Sequence, residues 1–290
     1  MKKIQVRTQV KKMLADVYTA VGIYLRLRDR FRDTILLESA DHHASENSFS
    51  FICINAIAGI EISNIEMAEF KYPLQDAERK PFNGKEPLEK MLWDFMERFE
   101  TTSDDPKTAR YGQGLYGYFT FDAVQFFETI RFKNSSDKSN AIPLARYRFY
   151  QYVIAINHHK DELVLCENCI NGLESESGLL ESLIKSKDVP VYPFHTISNE
   201  TSNMADEDYT AMVKKGIASC FRGDVFQIVL SRRFEQKFSG DEFNVYRALR
   251  NINPSPYLFY FDYGDYKLMG SSPEAQLVIS NGRAVVHPIA

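Results

Sequence analysis

Short runs of aromatic and β-branched residues dominate the first half of the chain. Thr34 to Glu38, Ser48 to Ile54, Tyr116 to Phe121 and Tyr147 to Ile156 each predict a strand. Tyr152 to Ile156, a polar turn at His158-His159-Lys160-Asp161 and Leu163 to Cys166 together predict a hairpin. One amphipathic helix interrupts this half. Leu88, Met91, Leu92, Phe95, Met96 and Phe99 recur at helical spacing, with Pro87 placed for a first turn. Residues 171–204 are more polar and read as a linker with a short helix near Leu179 to Ile184.

The order changes after residue 205. Tyr209, Met212, Val213, Gly216, Ile217, Cys220 and Phe221 form a helical stripe with Asp206 as its expected N-cap. A strand is expected over Phe226 to Leu230 and a helix near Phe243 to Ile252. Strands then follow at Tyr257 to Phe261, Tyr266 to Met269, Ala275 to Ile279 and Ala284 to Ile289, between turn signals such as Tyr263-Gly264-Asp265 and Asn281-Gly282. The last run stops at Ala290 with no closing element, which reads as a sheet cut in mid-course. The pattern gives three regions: residues 1–170, the linker 171–204, and 205–290.

Composition narrows the function classes. With 290 residues, 44% of them hydrophobic and 26% charged, the chain is globular. Thirty-five basic against 39 acidic residues give a net charge of −4, which argues against a general nucleic-acid partner. The longest apolar run, Phe51 to Ile60, is far short of a bilayer span, so no membrane partner is expected. Nine basic and two acidic residues within the first 32 read as a solvated surface, because a transit peptide would also carry Ser. Four scattered cysteines fit reduced thiols in a cytoplasmic protein.

Several short motifs carry less than they spell. Gly112-Gln113-Gly114-Leu115-Tyr116-Gly117 matches G-x-G-x-x-G, but a loop precedes it and a strand follows, the reverse of a dinucleotide site. Cys166-Glu167-Asn168-Cys169 lacks a second ligand pair. The pairs His42-His43 and His158-His159 point their members to opposite faces of an extended chain and read as turn residues.

Three longer stretches in fixed order say more. Gly223-Asp224-Val225-Phe226-Gln227-Ile228-Val229-Leu230-Ser231-Arg232-Arg233 resembles the G-D-x-F-Q-x-V-L-S-x-R signature of chorismate-utilising enzymes. Asn253 to Phe259 and Gly270-Ser271-Ser272-Pro273-Glu274 resemble the next two signatures, and Leu115 to Asp122 is similar to an upstream strand of the same family. His287 to Ala290 resembles the lead-in to the family's G-T-x-x-R-G loop. The resemblance implies a large α+β (mixed α/β) fold of two packed β-sheets with outer helices, incomplete here at its C-terminus.

Within the family the chain resembles the large subunits of anthranilate synthase. Related enzymes that use water or a covalent step typically have Lys where Gln227 stands, and Gln can position a nucleophile that already has a free lone pair, such as ammonia. Leu36-Leu37-Glu38-Ser39 and Pro256-Tyr257-Leu258 resemble the two halves of a tryptophan feedback site, with one departure. The family often has a Lys about a dozen residues beyond the Glu-Ser pair, whereas Glu46-Asn47-Ser48 stand here.

The implied reaction adds ammonia to C2 of chorismate with loss of the C4 hydroxyl, then eliminates pyruvate. Hydroxide leaves poorly, so an acid must protonate it. Glu274 matches the family's acid, and burial is the expected route to the raised pKa that role needs. Ser271 and Ser272 are expected to orient its loop. The resemblance also implies Mg²⁺, with ligands beyond residue 290, and a glutaminase subunit that supplies ammonia. A chain of this extent is therefore expected to be inactive alone. The alternatives are aminodeoxychorismate synthase and a non-catalytic module that senses tryptophan or docks the glutaminase.

Overall fold

The computed structural model describes residues 3–39, 48–82, 87–132, 142–280 and 282–287. His42 and His43 lie outside them, as do residues 288 and 289 of the final expected strand. The chain divides into two compact units, Met1–Pro190 with Leu249–Ala290, and Val191–Ala248.

The first unit is built on one large sheet. Its strands are β1 (Ile4–Leu14), β2 (Thr34–Glu38), β3 (Phe49–Asn64), β4 (Met67–Lys71), β5 (Glu78–Pro81), β6 (Phe99–Thr102), β7 (Tyr116–Phe119), β8 (Ala145–Asn157) and β9 (Glu162–Cys169). The second unit contributes two small antiparallel pairs of its own, formed by β10 (Phe194–Thr196), β11 (Thr201–Ser202), β12 (Phe234–Glu235) and β13 (Phe238–Gly240). Back in the first unit, β14 (Tyr257–Asp262) and β15 (Lys267–Ser272) complete the large sheet, and β16 (Leu277–Ser280) pairs with β17 (Arg283–Val286). The main path of the sheet runs β15-β14-β2-β3-β8-β9-β1-β6, with β4 and β5 extending from β3 and β7 lying along β8.

The β8–β9 hairpin turns where expected. Asn157 Oδ1 accepts the backbone N–H groups of His159 and Lys160, and Asp161 takes a positive φ of 48°. β3 can serve two faces because its register against β8 slips between Ala56 and Ala58, beside Asn55 at φ 60°. A bulge of one residue exchanges the inward and outward sets of side chains. Upstream, Cys53 packs with Tyr150, Val153 and Phe261. Downstream, Ile57, Ala58 and Ile60 pack under Leu88, Met91 and Phe95 of α2 (Leu88–Met96).

Most of the basic residues within the first 32 are exposed, as expected of a solvated surface, and the segment that carries them is built into the fold. β1 pairs with β6 and β9, and its cations meet carboxylates at Arg7–Asp104 and Lys12–Asp105, 2.9 and 3.0 Å. α1 (Ala20–Leu27) starts at Thr19, whose side chain accepts the Gly22 N–H, and buries Ile23, Tyr24, Leu25 and Leu27. It packs on α4 (Ser177–Lys185), the helix expected near Leu179.

In the second unit, α5 (Asp206–Arg222) is capped by Ala205 rather than Asp206, with no side-chain cap. Asp206 instead opens the first turn, where its carboxylate favours the helix dipole and pairs with Arg232 at 2.6 Å. Gly223 ends α5 at φ 78°, so the first glycine of the long signature is a helix stop. The segment after it is not the expected strand. Ile228 and Leu230 approach Gly216 of α5, while Phe226 and Val229 face outward. Phe226 and Ile228 share strand parity yet differ in environment, so the two-residue alternation of a strand is absent, and among the described residues no backbone ladder lies opposite. α6 (Phe243–Ile252) follows the expected bounds and spans the division between the units.

Candidate functional site

Antiparallel pairing of β14 with β2 sets Leu258 opposite Glu38 and Phe259 opposite Leu37. Two segments more than 200 residues apart in sequence thereby share one edge. Around it opens a cavity of about 1200 Å³ lined by Glu38, Ser39, Pro256, Tyr257 and Leu258. Phe49 and Phe51 from β3, Tyr116 to Phe119 from β7, and Leu268 and Met269 from β15 complete most of its wall. The wall is largely aromatic. Phe49 and Phe51 stack at 5.9 Å, and Tyr111 sits 5.3 Å from Phe49.

Glu38 is buried, with its side chain 4% exposed, and Arg250 of α6 reaches it at 3.2 Å. His158 Nε2 lies 2.7 Å from Ser50 Oγ. Burial holds the His158 imidazole below its ordinary pKa; Glu38 and Asp161 pull it up, and Arg250 pushes it down. The unfolded chain then binds this proton before the folded one. The stability it contributes is complete above about pH 6.5 and declines as pH falls toward the folded pKa. A His158→Gln variant should therefore show a shallower loss of stability between about pH 7.5 and 5.5 in urea titrations. Equal slopes would show that His158 does not carry it.

Ser271 and Ser272 lie on β15, opposite Leu258 and Tyr257. Ser271 Oγ donates to the Asn253 carbonyl at 2.6 Å, which ties the second signature segment to the third. Ser272 Oγ donates to the Glu274 carbonyl at 3.2 Å, so the hydroxyl braces the loop that presents Glu274. Glu274 itself is exposed, which corrects the expectation of burial: among the described residues no apolar shell surrounds its carboxyl. Gln227 is exposed on the unpaired segment of the second unit. Among the described residues no cluster of three or more His, Cys, Asp or Glu side chains stands together as a metal site.

The remaining motifs are structural. Cys166 is buried under Gly112, and burial pushes its thiol up to about 11, against the reactivity of a redox cysteine. Arg110, Phe51 and the β7 tyrosines line the cavity without having been singled out by sequence. β7 reaches the cavity through its pairing with β8, a tertiary contact that local sequence does not give. Among the described residues no helix is long and apolar enough to cross a membrane.

The mixed α/β sheet assembly is the fold of a chorismate-binding enzyme. The chain belongs to that family, matching chorismate binding enzymes over residues 53–290. It is 31% identical to anthranilate synthase component 1 of Aquifex aeolicus over 96% of its own length, and 27% identical to that of Lactococcus lactis over 97%. It spans 58% and 60% of those relatives. Among solved structures, anthranilate synthase component I of Streptococcus pneumoniae shares the fold with a TM-score of 0.58 at 23% identity, covering 94% of this chain and 60% of that one. The menaquinone-specific isochorismate synthase of Escherichia coli does so at 0.56 and 13%, covering 96% and 53%.

Proposed function

We propose that these residues belong to an anthranilate synthase large subunit that makes anthranilate and pyruvate from chorismate and ammonia. The observation that carries this reading is the similarity to enzymes of that name along 96–97% of the chain. Gln227, a residue that can neither deprotonate water nor attack covalently, supports ammonia as the nucleophile. In this reading Gln227 orients the incoming ammonia, Glu274 protonates the departing C4 hydroxyl, and Ser271 and Ser272 fix the acid's loop. Exclusion of water from Glu274 must come from groups outside the described residues. Mg²⁺, a glutaminase subunit as ammonia source, and a cytoplasmic location complete the proposal.

The cavity supports a second part of it, feedback by L-tryptophan. An indole fits an aromatic wall, and the buried Glu38 carboxylate suits an α-ammonium group. Pro256 to Leu258 enter β14 and the loop of Glu274 follows β15, the strand paired with it, so occupancy of one can bias the other.

Purified full-length protein with chorismate, ammonium and Mg²⁺ is expected to produce anthranilate fluorescence, while the 290-residue chain alone produces none. Isochorismate or aminodeoxychorismate as the product of the full-length protein would overturn the reading. Ser39→Phe fills the cavity mouth and should abolish tryptophan inhibition while leaving turnover within about twofold, as expected when a coupling of roughly 1–3 kcal/mol is removed. Undiminished inhibition in that variant would remove the feedback site from the cavity.

A further inference from the structure

The cavity carries one formal charge of each sign among its described lining residues, Glu38 and Arg110. They are placed differently. Glu38 is buried and already meets Arg250, which is thereby occupied. Arg110 is exposed, and among the described residues no carboxylate pairs with its guanidinium. Its position is set by what precedes it. Asp105 caps the short helix α3 (Pro106–Ala109) by accepting the Thr108 N–H, and Arg110 closes that helix. The guanidinium then lies 5.7 Å from the ring of Tyr111, itself part of the wall.

An amino acid with its ring on the aromatic wall and its ammonium toward Glu38 has a carboxylate left over. Leaving that anion against an apolar wall would be costly, so binding needs a second, free cation. A guanidinium presents two parallel N–H donors that match a carboxylate, and stacking on a ring limits the side-chain entropy lost on binding. We infer that Arg110 anchors the ligand's α-carboxylate and so makes the cavity select free aromatic amino acids over the corresponding amines. This rests on the amino-acid reading of the cavity proposed above.

Calorimetric titration of the intact protein with L-tryptophan and with tryptamine, which lacks the carboxylate, tests it. L-Tryptophan should bind the wild type more tightly than tryptamine does. Arg110→Gln should weaken L-tryptophan about tenfold or more and leave tryptamine within about twofold, and Arg110→Lys should recover part of the loss because the charge returns without the fork. Because the side chain is exposed, both variants are expected to fold. L-Tryptophan binding to Arg110→Gln at wild-type affinity would overturn the role of Arg110 while leaving the ligand reading intact. A wild type that binds neither compound would overturn the ligand reading itself and the anchor with it.

Discussion

A single methyl group added at Gly117 should cost this protein more than most core truncations of one methylene. A Cβ there would lie 2.0 Å from the carbonyl oxygen of Arg146 and 2.7 Å from the Cα of Tyr147. Both obstacles are backbone of β8, so no side-chain rotation relieves them. β7 is held to the sheet by its pairing with β8 across Tyr116 to Phe119, and Gly117 opposes Tyr147. Gly117→Ala must push β7 outward or break that ladder, at a cost of about 2–3 kcal/mol. The cavity suffers too, because Tyr116, Tyr118 and Phe119 on the displaced strand form part of its wall.

The neighbouring glycines give an internal ranking. At Gly112 the added atom comes within 2.8 Å of the Cβ of Cys166 and otherwise makes ordinary contacts at 3.6 Å, and at Gly114 nothing lies within 4 Å. Destabilisation should therefore fall in the order Gly117→Ala, Gly112→Ala, Gly114→Ala, with the last near zero. Trp93, the one tryptophan of the chain, sits on α2 in the first unit, so its fluorescence in urea reports the unfolding of that unit. Equal midpoints for the Gly117 and Gly114 variants would show that β7 accommodates a Cβ.

The same glycine explains what could and could not be read from sequence. Gly112 to Gly117 spelled a nucleotide fingerprint, and the strand expected after it was enough to reject that reading. The reason for a glycine at 117, contact with a strand beginning at Ala145, is invisible locally. Elements with a strong period were legible. The expected bounds of β2 and α6 match the structure, and α2, β8 and β14 shift by a few residues at most. β1 carries a readable period, with Ile4, Val6, Thr8 and Val10 alternating with Gln5, Arg7, Gln9 and Lys11, beneath a dense basic charge that masks it. α1 carries one too, with Ala20, Ile23, Tyr24 and Leu27 at helical spacing. The cavity was half legible: family motifs marked Glu38, Ser39 and Pro256 to Leu258, whereas Arg110 reaches it only through tertiary packing. The exposure of Glu274 and Gln227 could not have been read at all, since burial depends on what else packs there.

Arg146 should be the most costly charged residue to remove. From β8 it reaches Asp33 at 3.1 Å and lies 3.2 Å from Glu61, which also accepts Arg148 at 2.7 Å. Its guanidinium sits 4.3 Å from the ring of Tyr263. Tyr266, whose hydroxyl is 2.7 Å from that of Tyr118 on the cavity wall, lies beside it. One side chain thus joins the turn before β2, the strand β3 and the β14–β15 turn. Asp33 holds a positive φ of 51°, a strained conformation that this contact helps secure. Arg146 and Arg148 are each 12% exposed, while Asp33 and Glu61 are about a quarter exposed, so water screens the acids more than the bases.

Arg146→Leu leaves Asp33 without its partner and is expected to cost about 2–4 kcal/mol, below the full value for a wholly buried pair. Arg146→Lys should recover less than half of that, because a point charge cannot span both carboxylates or lie flat on Tyr263. Pairing Arg146→Leu with Glu61→Leu should cost less than the sum of the two, since the Arg146–Glu61 contact is lost in either single variant and can be lost only once in the double. Urea unfolding of the four proteins, followed at Trp93, measures the coupling. Simple additivity within about 0.3 kcal/mol would mean that the Arg146–Glu61 contact contributes nothing measurable, and that Asp33 and Tyr263 carry the effect of Arg146.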